Sequence, residues 1–374
     1  MVKKVLFVFG TRPEAIKMAP VIKELEKHPD AFTSMVCVTA QHREMLDQFL
    51  ALFNIKPDID LDLMEKNQTL DSFTAKALVA LSATLKEVKP HVVLVQGDTT
   101  TAMTAALAAF YQKIPVGHIE AGLRTNNIYN PFPEEANRNI IGKLATYNFA
   151  PTEGAKNALL KEDFDKDSIF VTGNSVVDAL QMILKNIEGY PSNIDTSFLN
   201  GNKLILVTAH RRENFGKPLE NICAGLMQIV KKNEDVEIIY PVHLNPNVKN
   251  VVDKILANKD RIHLFSPVEY FDLVRLLNKA HIVITDSGGI QEEAPALGKP
   301  VLVLRSETER PEGVEAGVAK LIGTNSERIV SETELLLHNS SEYFKMSKAV
   351  SPYGDGKASS RIIEILMRER TDNV

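Results

Sequence analysis

The length and composition of the chain are those of a globular protein with two domains. It has 374 residues, of which 44% are hydrophobic and 24% charged, and one domain typically takes about 100–200 residues. The net charge of −5 argues against non-specific binding to nucleic acid, which needs a basic surface. The apolar run Val5–Phe9 near the N-terminus is too short for a signal peptide or a membrane span. We therefore expect a cytoplasmic protein that binds neither nucleic acid nor membrane.

The number and spacing of the cysteines argue against disulfide bonds and against a metal site. The two cysteines, Cys37 and Cys223, lie in apolar surroundings, which predicts buried, unpaired thiols. No cluster of Cys and His has the spacing of a metal site. We therefore expect neither a disulfide framework nor a metal centre.

Short apolar runs alternate with amphipathic helical stretches, a pattern typical of βα units and parallel sheets. The near-continuous Val, Ile and Leu content of the runs fits strands covered on both faces. The first half holds predicted strands at Val5–Phe9, Ser34–Thr39, Val92–Gln96, Val116–Glu120, Asn148–Pro151 and Ile169–Thr172, and predicted helices at Pro13–Lys27, Leu70–Val88 and Thr100–Gln112. The second half holds predicted strands at Leu204–Thr208, Glu237–Pro241, Ile262–Phe265, Ile282–Thr285 and Val301–Leu304.

This pattern predicts an α/β fold with two Rossmann-like, doubly wound domains facing across a cleft. Turn residues in Gly189–Asn202 place the boundary between residues 173 and 202. We expect residues 1–172 to form the first domain and residues 173–355 the second. The last helix, Ala358–Arg368 within about 356–374, should pack back on the first domain, because chain ends often lie close together. Ligands of such sheets bind at the carboxyl ends of the strands, so polar residues just after strands are the functional candidates.

The loop after the first strand has the character of an anion site. In Gly10-Thr11-Arg12-Pro13 the proline suits a helix start, so Arg12 lies beside a helix N-terminus, with Lys17 one turn later. Both features favour an anion; the alternative is a pair of surface cations. Neither G-x-G-x-x-G nor G-x-x-x-x-G-K-[ST] occurs in the chain, so dinucleotide binding and a Walker-type NTPase lack their fingerprints.

Three carboxylates follow predicted strands of the first domain. They are Asp98 in GDTTT, Glu120 in GHIEAGLR and Glu134 in PFPEEANR. A carboxylate that ends a buried strand is costly unless it is paired or used, and several near one sheet edge suit acid/base chemistry. Two simpler readings stay open: Asp98 or Thr99 caps the next helix, and Glu134 is a partner of a helix dipole. His210 follows a strand of the second domain among charged neighbours, which argues against neutral packing in the core.

The most specific pattern lies in the second domain. A strand runs into Ser287-Gly288-Gly289 and then into a helix, so a phosphate can approach the backbone and meet free N–H donors. Glu293 lies one turn further on and suits the hydroxyls of a ribose. Arg310 follows the next strand and offers a second phosphate contact. Together these residues predict a site for a diphosphate sugar nucleotide.

The sequence resembles the non-hydrolysing UDP-N-acetylglucosamine 2-epimerases over almost its whole length. The matching strings are FGTRPEAIKMAP, VTAQHREMLDQ, GDTTT, IPVGHIEAGLRT, PFPEEANR, AHRREN, YPVHLNPNV, TDSGGIQEEAP, GKPVLVLR, TERPEG and PYGDG. The resemblance implies a GT-B-like fold, a homodimer, and interconversion of UDP-GlcNAc and UDP-ManNAc without NAD or metal. It further implies that UDP leaves and returns through 2-acetamidoglucal, and that the product supplies ManNAc units for cell-surface polysaccharide.

The resemblance also carries over site residues. It implies catalytic roles for Asp98, Glu120, Glu134 and His210, and contacts to UDP or substrate from Arg12, Lys17, Ser287, Gly288, Gly289, Glu293 and Arg310. Positions of a second, allosteric UDP-GlcNAc site are Gln41, His42, Gln68, Glu134, Arg211 and His243. Two positions differ from the family pattern: Glu44 stands where some members carry Gln, and Asn67 where they carry Arg. Since Asn lacks the bidentate fork of Arg, we expect a weaker anion contact at this second site.

Four other functions remain open from the sequence. A hydrolysing epimerase would release ManNAc and UDP, and a relative could act on a modified sugar such as a diacetamido-uronate. A GT-B glycosyltransferase would need an acceptor, and a non-catalytic sensor would only bind the UDP-sugar. The residues leave open which carboxylate is the acid and which the base.

Overall fold

A computed structural model describes residues 2–39, 46, 49–51, 53–65, 68–189 and 192–368. The chain divides into two compact units, Met1–Ala179 with Gly354–Val374, and Leu180–Tyr353. These are called the first and the second domain below. Within the described ranges, no helix combines the length and the apolar character that a membrane crossing requires.

The first domain is built on a seven-stranded parallel sheet. Its strands are β1 (Lys3–Phe9), β2 (Phe32–Val38), β3 (Ile59–Asp60), β4 (Val92–Gln96), β5 (Val116–Ile119), β6 (Tyr147–Ala150) and β7 (Ile169–Val171). They lie in the order β3-β2-β1-β4-β5-β6-β7. The helices are α1 (Arg12–Leu25), α2 (Leu70–Val88), α3 (Thr100–Tyr111), α4 (Glu134–Leu144), α5 (Glu153–Lys161) and the last helix, α14 (Ala358–Arg368), and α6 (Ser175–Lys185) leads out of the domain.

The second domain is built on a six-stranded parallel sheet. Its strands are β8 (Lys203–Thr208), β9 (Val236–Pro241), β10 (Ile262–Phe265), β11 (Ile282–Thr285), β12 (Val301–Val303) and β13 (Ala319–Leu321), in the order β10-β9-β8-β11-β12-β13. The helices are α7 (Lys217–Lys232), α8 (Pro246–Leu256), α9 (Tyr270–Lys279), α10 (Gly288–Ala296), α11 (Pro311–Glu315), α12 (Ser326–His338) and α13 (Ser340–Ser347). Short 3-10 helices lie at Lys166–Ser168 in the first domain and at Ile187–Gly189, Ser197–Leu199 and Arg212–Asn214 in the second.

Both sheets are covered on both faces, which explains their continuous apolar strands. In β8, Ile205 and Val207 pack in one core cluster, and Leu204 and Leu206 pack in the cluster on the other face. Successive side chains of a strand point to opposite faces, so every position needs an apolar residue. The predicted α/β architecture with two parallel sheets is confirmed.

The order of strands reverses at β1 in the first domain and at β8 in the second. β1 pairs with both β2 and β4, and β8 pairs with both β9 and β11. Crevices at such reversals are where open α/β sheets bind ligands. Arg12, at the start of α1, and Asp98, His210 and Ser287, in the loops after β4, β8 and β11, therefore lie at the reversal points of their own sheets.

The chain returns from the second domain to add α14 to the first. Helix α14 packs on α1, and Lys3 Nζ donates to the carbonyl of Leu366 at 2.9 Å. The carboxylate of Asp178 accepts hydrogen bonds from Ala358 N at 3.2 Å and Ser359 N at 2.8 Å. This side chain thereby supplies acceptors for the unpaired N–H groups at the start of α14.

Both cysteines are buried and unpaired, as predicted. Burial raises the pKa of the Cys37 and Cys223 thiols to about 12. Both are therefore neutral and unreactive at physiological pH.

Candidate active site

Glu120 lies directly after β5 in a left-handed backbone conformation, with φ of 69°. Its carboxylate contacts Lys17 Nζ of α1 as an ion pair. It also accepts hydrogen bonds from Asn174 Nδ2 at 3.0 Å and from Gln96 Nε2 at 2.5 Å. The structure therefore brings Lys17 and Glu120 together, and it adds two positioning amides that the sequence reasoning missed. Their signal was available, because Gln96 ends β4 and Asn174 follows β7.

Asp98 lies in the loop between β4 and α3, and it does not cap that helix. Thr99 is the cap, since its hydroxyl accepts from Ala102 N at 3.0 Å. Asp98 instead forms an ion pair with Arg138, with 2.7 Å between Oδ2 and Nη2, and 27% of its side chain is exposed. Sequence reasoning missed Arg138, which lies four residues after Glu134 in the motif that was singled out.

The two acids at the start of α4 differ in environment. Glu135 is 1% exposed and accepts from the backbone N–H groups of Thr125 at 3.0 Å and Asn126 at 3.2 Å. Glu134 is half-buried, and within the described part of the chain its carboxylate has no hydrogen-bond partner. Asn137 of the same helix donates to the carbonyl of Asp98 at 2.8 Å. Glu135 thus fixes the backbone at Thr125 and Asn126, and Asn137 joins the helix of Glu134 to the Asp98 loop.

His118 supports the Asp98 loop from within the sheet. It is fully buried, and burial lowers its pKa to about 4, so the ring is neutral at pH 7. Its Nε2 lies 2.7 Å from the carbonyl oxygen of Gly97, so Nε2 carries the proton and donates it. A Cβ atom at Gly97 would lie 3.7 Å from Glu120 Oε2, which places the Asp98 loop beside the Glu120 carboxylate.

His210 is held at the end of β8 through its backbone. The fully buried carboxylate of Asp286 accepts from His210 N at 2.8 Å, Arg211 N at 2.8 Å and Asn214 Nδ2 at 2.9 Å. Burial, more than any neighbouring charge, lowers the pKa of His210, and the nearby Asp286 opposes that shift. The imidazole stacks on His243 with 5.4 Å between ring centroids. Asp286 is a further residue that sequence reasoning did not single out.

The N-terminus of α10, where the sequence predicts a phosphate site, lies next to Arg310. Ser287 precedes the helix, and a Cβ atom at Gly288 would lie 2.9 Å from Arg310 Nη1. Glycine at this position therefore lets the guanidinium lie against the helix end. Around Gly289 the described residues leave open space. Arg310 Nε also donates to Glu292 Oε1 at 2.8 Å, a partner that the sequence analysis did not name.

Glu293 and Arg12 occupy different surroundings. Glu293 is 7% exposed, and its Oε1 accepts from the hydroxyl of Tyr270 at 3.1 Å. Arg12 begins α1 and is half-buried.

The positions of the predicted second site are only partly described. Gln41, His42, Glu44 and Asn67 lie outside the described residues. In the first domain, Gln68 Nε2 donates to the carbonyl of Leu63 at 3.2 Å. In the second domain, His243 is exposed, and its Nδ1 accepts from Asn245 N at 3.1 Å. Among the described His, Cys, Asp and Glu residues, no group of three or more is arranged to hold a metal ion.

Comparison with known proteins identifies the family. The family model for UDP-N-acetylglucosamine 2-epimerase matches residues 23–367. UDP-N-acetylglucosamine 2-epimerase of Salmonella typhimurium is 54% identical over 379 residues, covering 98% of this chain and 99% of the relative. The enzyme of that name from Bacillus subtilis is 55% identical over 364 residues, covering 97% and 95%.

Solved structures give the same assignment. The structure of the UDP-GlcNAc 2-epimerase from Neisseria meningitidis bound to UDP-GlcNAc has a TM-score of 0.86 and 51% identity, covering 98% of this chain and 100% of that one. The glycotransferase of kitacinnamycin, at 12% identity and a TM-score of 0.67 over 98% of this chain and 99% of that one, shares the fold alone, which agrees with the expected GT-B-like architecture. With the sequence motifs, both sheets and these comparisons in agreement, the chain belongs to the UDP-N-acetylglucosamine 2-epimerase family.

Proposed function

We propose that the protein inverts C2 of UDP-GlcNAc to give UDP-ManNAc, reversibly and without hydrolysis. Family membership and the names of its relatives support the substrate. The observation that carries the proposal is the setting of Glu120. Its carboxylate is ion-paired with Lys17 and oriented by two amides beside the Asp98 loop, as an acid/base group must be held.

The second domain supports a proposal for diphosphate binding. A helix N-terminus offers free N–H groups and a positive dipole end to an anion, and Arg310 lies against that end of α10. We place the diphosphate at Ser287, Gly288, Gly289 and Arg310, with Arg12 as a further cation. Glu293 lies one turn along the same helix, and we assign it to the ribose hydroxyls. The free N–H groups at the start of α10 and the guanidinium groups of Arg310 and Arg12 would stabilise the negative charge on a departing UDP.

The proposed reaction proceeds by elimination and re-addition. A base removes the proton from C2 while the C1–O bond to UDP breaks, which leaves 2-acetamidoglucal. UDP then forms the C1–O bond again, and a proton arrives at C2 from the opposite face. At least two proton-transfer groups are needed, and Asp98, Glu120 and Glu134 are the candidates. A neutral His210 suits the role of a hydrogen-bond donor to the diphosphate.

The proposal extends to cofactors, assembly and cellular role. Elimination and re-addition need no net oxidation, so turnover should require neither NAD nor added metal. We propose a homodimer in the cytoplasm that supplies ManNAc units for cell-surface polysaccharide. Dialysis against a chelator should leave the rate unchanged, and light scattering should give twice the mass of one chain. A metal-dependent rate or a monomer would contradict these parts of the proposal.

We further propose a second UDP-GlcNAc site at Gln41, His42, Gln68, Glu134, Arg211 and His243. Asn67 supplies no bidentate contact to an anion, so activation by substrate should be weak. Initial rates against UDP-GlcNAc concentration test this point. Asn67→Arg should make the curve more sigmoidal than that of the wild-type protein, and an unchanged curve would count against the site.

The identity of the product tests the proposed function. Purified protein is incubated with UDP-GlcNAc alone, and the products are separated by anion exchange. We expect UDP-ManNAc in equilibrium with UDP-GlcNAc and no free sugar. Free ManNAc with stoichiometric UDP would indicate the hydrolysing reaction. Substrate that stays unchanged until an acceptor is added, and is consumed only then, would indicate a glycosyltransferase.

A further inference from the structure

The first domain contains a buried carboxylate that has no role in the reaction proposed above. Glu14 lies in the first turn of α1 and is 1% exposed. Its Oε2 accepts from the backbone N–H groups of Gly10 at 3.1 Å and Thr11 at 2.8 Å, and from the Thr11 hydroxyl at 2.7 Å. Its Oε1 accepts from the hydroxyl of Thr99 at 2.7 Å. The donors thus belong to two separate loops.

Helix capping accounts for three of these four contacts. A Glu at the third helical position commonly bonds back to the residue before the helix, which explains the bonds from Gly10 and Thr11. Thr99 lies 85 residues further along the chain, and its hydroxyl already caps α3 through Ala102 N. A buried carboxylate is costly unless hydrogen bonds compensate it. The bond to Thr99 therefore points to a function beyond the end of α1.

Each of the two segments that Glu14 joins carries a candidate functional group of this sheet edge. One follows β1 and holds Arg12; the other follows β4 and holds Asp98, and these strands are neighbours. We propose that Glu14, through Thr99, is a positioning residue that fixes the Arg12 loop against the Asp98 loop. In terms of the proposed reaction, on which this inference rests, it sets the spacing between a diphosphate contact and a proton-transfer group.

A double-mutant cycle tests the coupling. Glu14→Ala and Thr99→Val each remove one end of the same contact. Each should lower kcat for UDP-GlcNAc by about tenfold, because misplaced reacting groups slow a positioned reaction. The double variant should be no slower than Glu14→Ala alone, since partners in one contact are not additive. Losses that multiply to about a hundredfold would overturn the proposal.

Conservative variants and a matched control separate positioning from simple stability. Glu14→Gln and Thr99→Ser keep groups that can bridge the loops, so kcat should return to within about threefold of wild type. Thr152→Val removes a helix cap like that of Thr99: Ala155 N donates to Thr152 Oγ1 at 3.0 Å, as Ala102 N does to the Thr99 hydroxyl. It should lower the unfolding midpoint and leave kcat unchanged. Glu14→Gln as slow as Glu14→Ala would contradict a bridging role.

Hydrogen exchange supplies a readout that does not depend on activity. Thr99→Val should speed amide exchange in residues 10–12 as well as in residues 97–101, whereas Thr152→Val should affect neither loop. If Thr99→Val speeds amide exchange only in residues 97–101, the proposed coupling of the two loops is overturned. This test does not depend on whether Glu14→Ala folds. A wild-type protein without epimerase activity would instead remove the proposed function and leave the exchange test intact.

Discussion

Glu120 shows how the end of a strand can hold a carboxylate in one orientation, as the proposed proton transfer requires. Its ion pair with Lys17 and its bonds from Gln96 and Asn174 fix the orientation of the group while only 7% of its side chain is exposed. These neighbours come from α1, from the end of β4 and from the segment after β7, so no single stretch of sequence contains the set. The presence of Glu120 at a strand end could be predicted, but its partners depend on the order of the strands.

Replacement of Glu120 by Gln should abolish most activity. The amide keeps the shape of the side chain but cannot take up a proton, so turnover should fall by at least about a hundredfold. Glu26→Gln is the matched control, because Glu26 directly follows α1, pairs with Lys23 of that helix at 2.9 Å and is exposed. Conversion of UDP-GlcNAc is the measurement. Wild-type turnover by Glu120→Gln would remove Glu120 from the proposed set.

Buried His118 should make the protein sensitive to acid. Its pKa is lowered from 6.5 to about 4, so between these values the unfolded chain gains a proton that the folded protein excludes. The free energy of unfolding should therefore fall as the pH drops through this window, by about 3 kcal/mol. Urea titrations at pH 7 and pH 4 measure the loss. His118→Gln keeps a donor to Gly97 but does not titrate, so its free energy of unfolding should fall less between pH 7 and pH 4. Equal falls in the wild-type protein and the variant would show that His118 is not the source of the acid sensitivity.

At the scale of elements, the helix end at Gly288 depends on the absence of a side chain. A Cβ atom there would lie 2.9 Å from Arg310 Nη1, so Gly288→Ala should displace the guanidinium from α10. We expect UDP to bind about tenfold more weakly, which corresponds to about 1.4 kcal/mol. Titration calorimetry with UDP measures this. Gly189→Ala is the control, because the described atoms leave room for a Cβ there, and equal affinities for all three proteins would contradict the placement of the diphosphate.

One buried carboxylate, that of Asp178, holds the start of α14. Asp178→Ala leaves Ala358 N and Ser359 N without their acceptor, and buried unpaired groups of this kind cost about 1–3 kcal/mol. Asp355→Ala is a control, since it removes an exposed ion pair with Arg361 worth about 1 kcal/mol or less. Chemical denaturation should show the larger loss for Asp178→Ala. Equal losses would mean that the buried acceptor is not what holds the start of the helix.

Hydrophobic runs predicted most strands of both sheets, because strands covered on both faces must be apolar throughout. One edge strand of each sheet, β3 in the first and β13 in the second, was not predicted. They have two and three residues and contain Asp60 and Lys320, so they lack the apolar run that marks the others. Likewise, the Asp98 motif could be read as a helix cap until the structure assigned that task to Thr99.

At the scale of the whole molecule, the sequence supports the binding of a sugar nucleotide more directly than it supports the reaction. The Ser287–Gly289 helix start and Arg310 indicate a diphosphate from residue chemistry alone. Inversion at C2 comes instead from the family, because carboxylates at a sheet edge serve many reactions. The family is now established by comparison, whereas the path through 2-acetamidoglucal is our proposal.

Proton NMR of UDP-GlcNAc incubated with the protein in deuterated water tests that path most directly. Removal of the C2 proton followed by delivery from solvent predicts UDP-ManNAc that carries deuterium at C2. The signal of the C2 proton should disappear from the product with no acceptor and no added metal present. UDP-ManNAc that retains the original C2 proton, or a substrate that shows neither exchange nor conversion, would contradict the account.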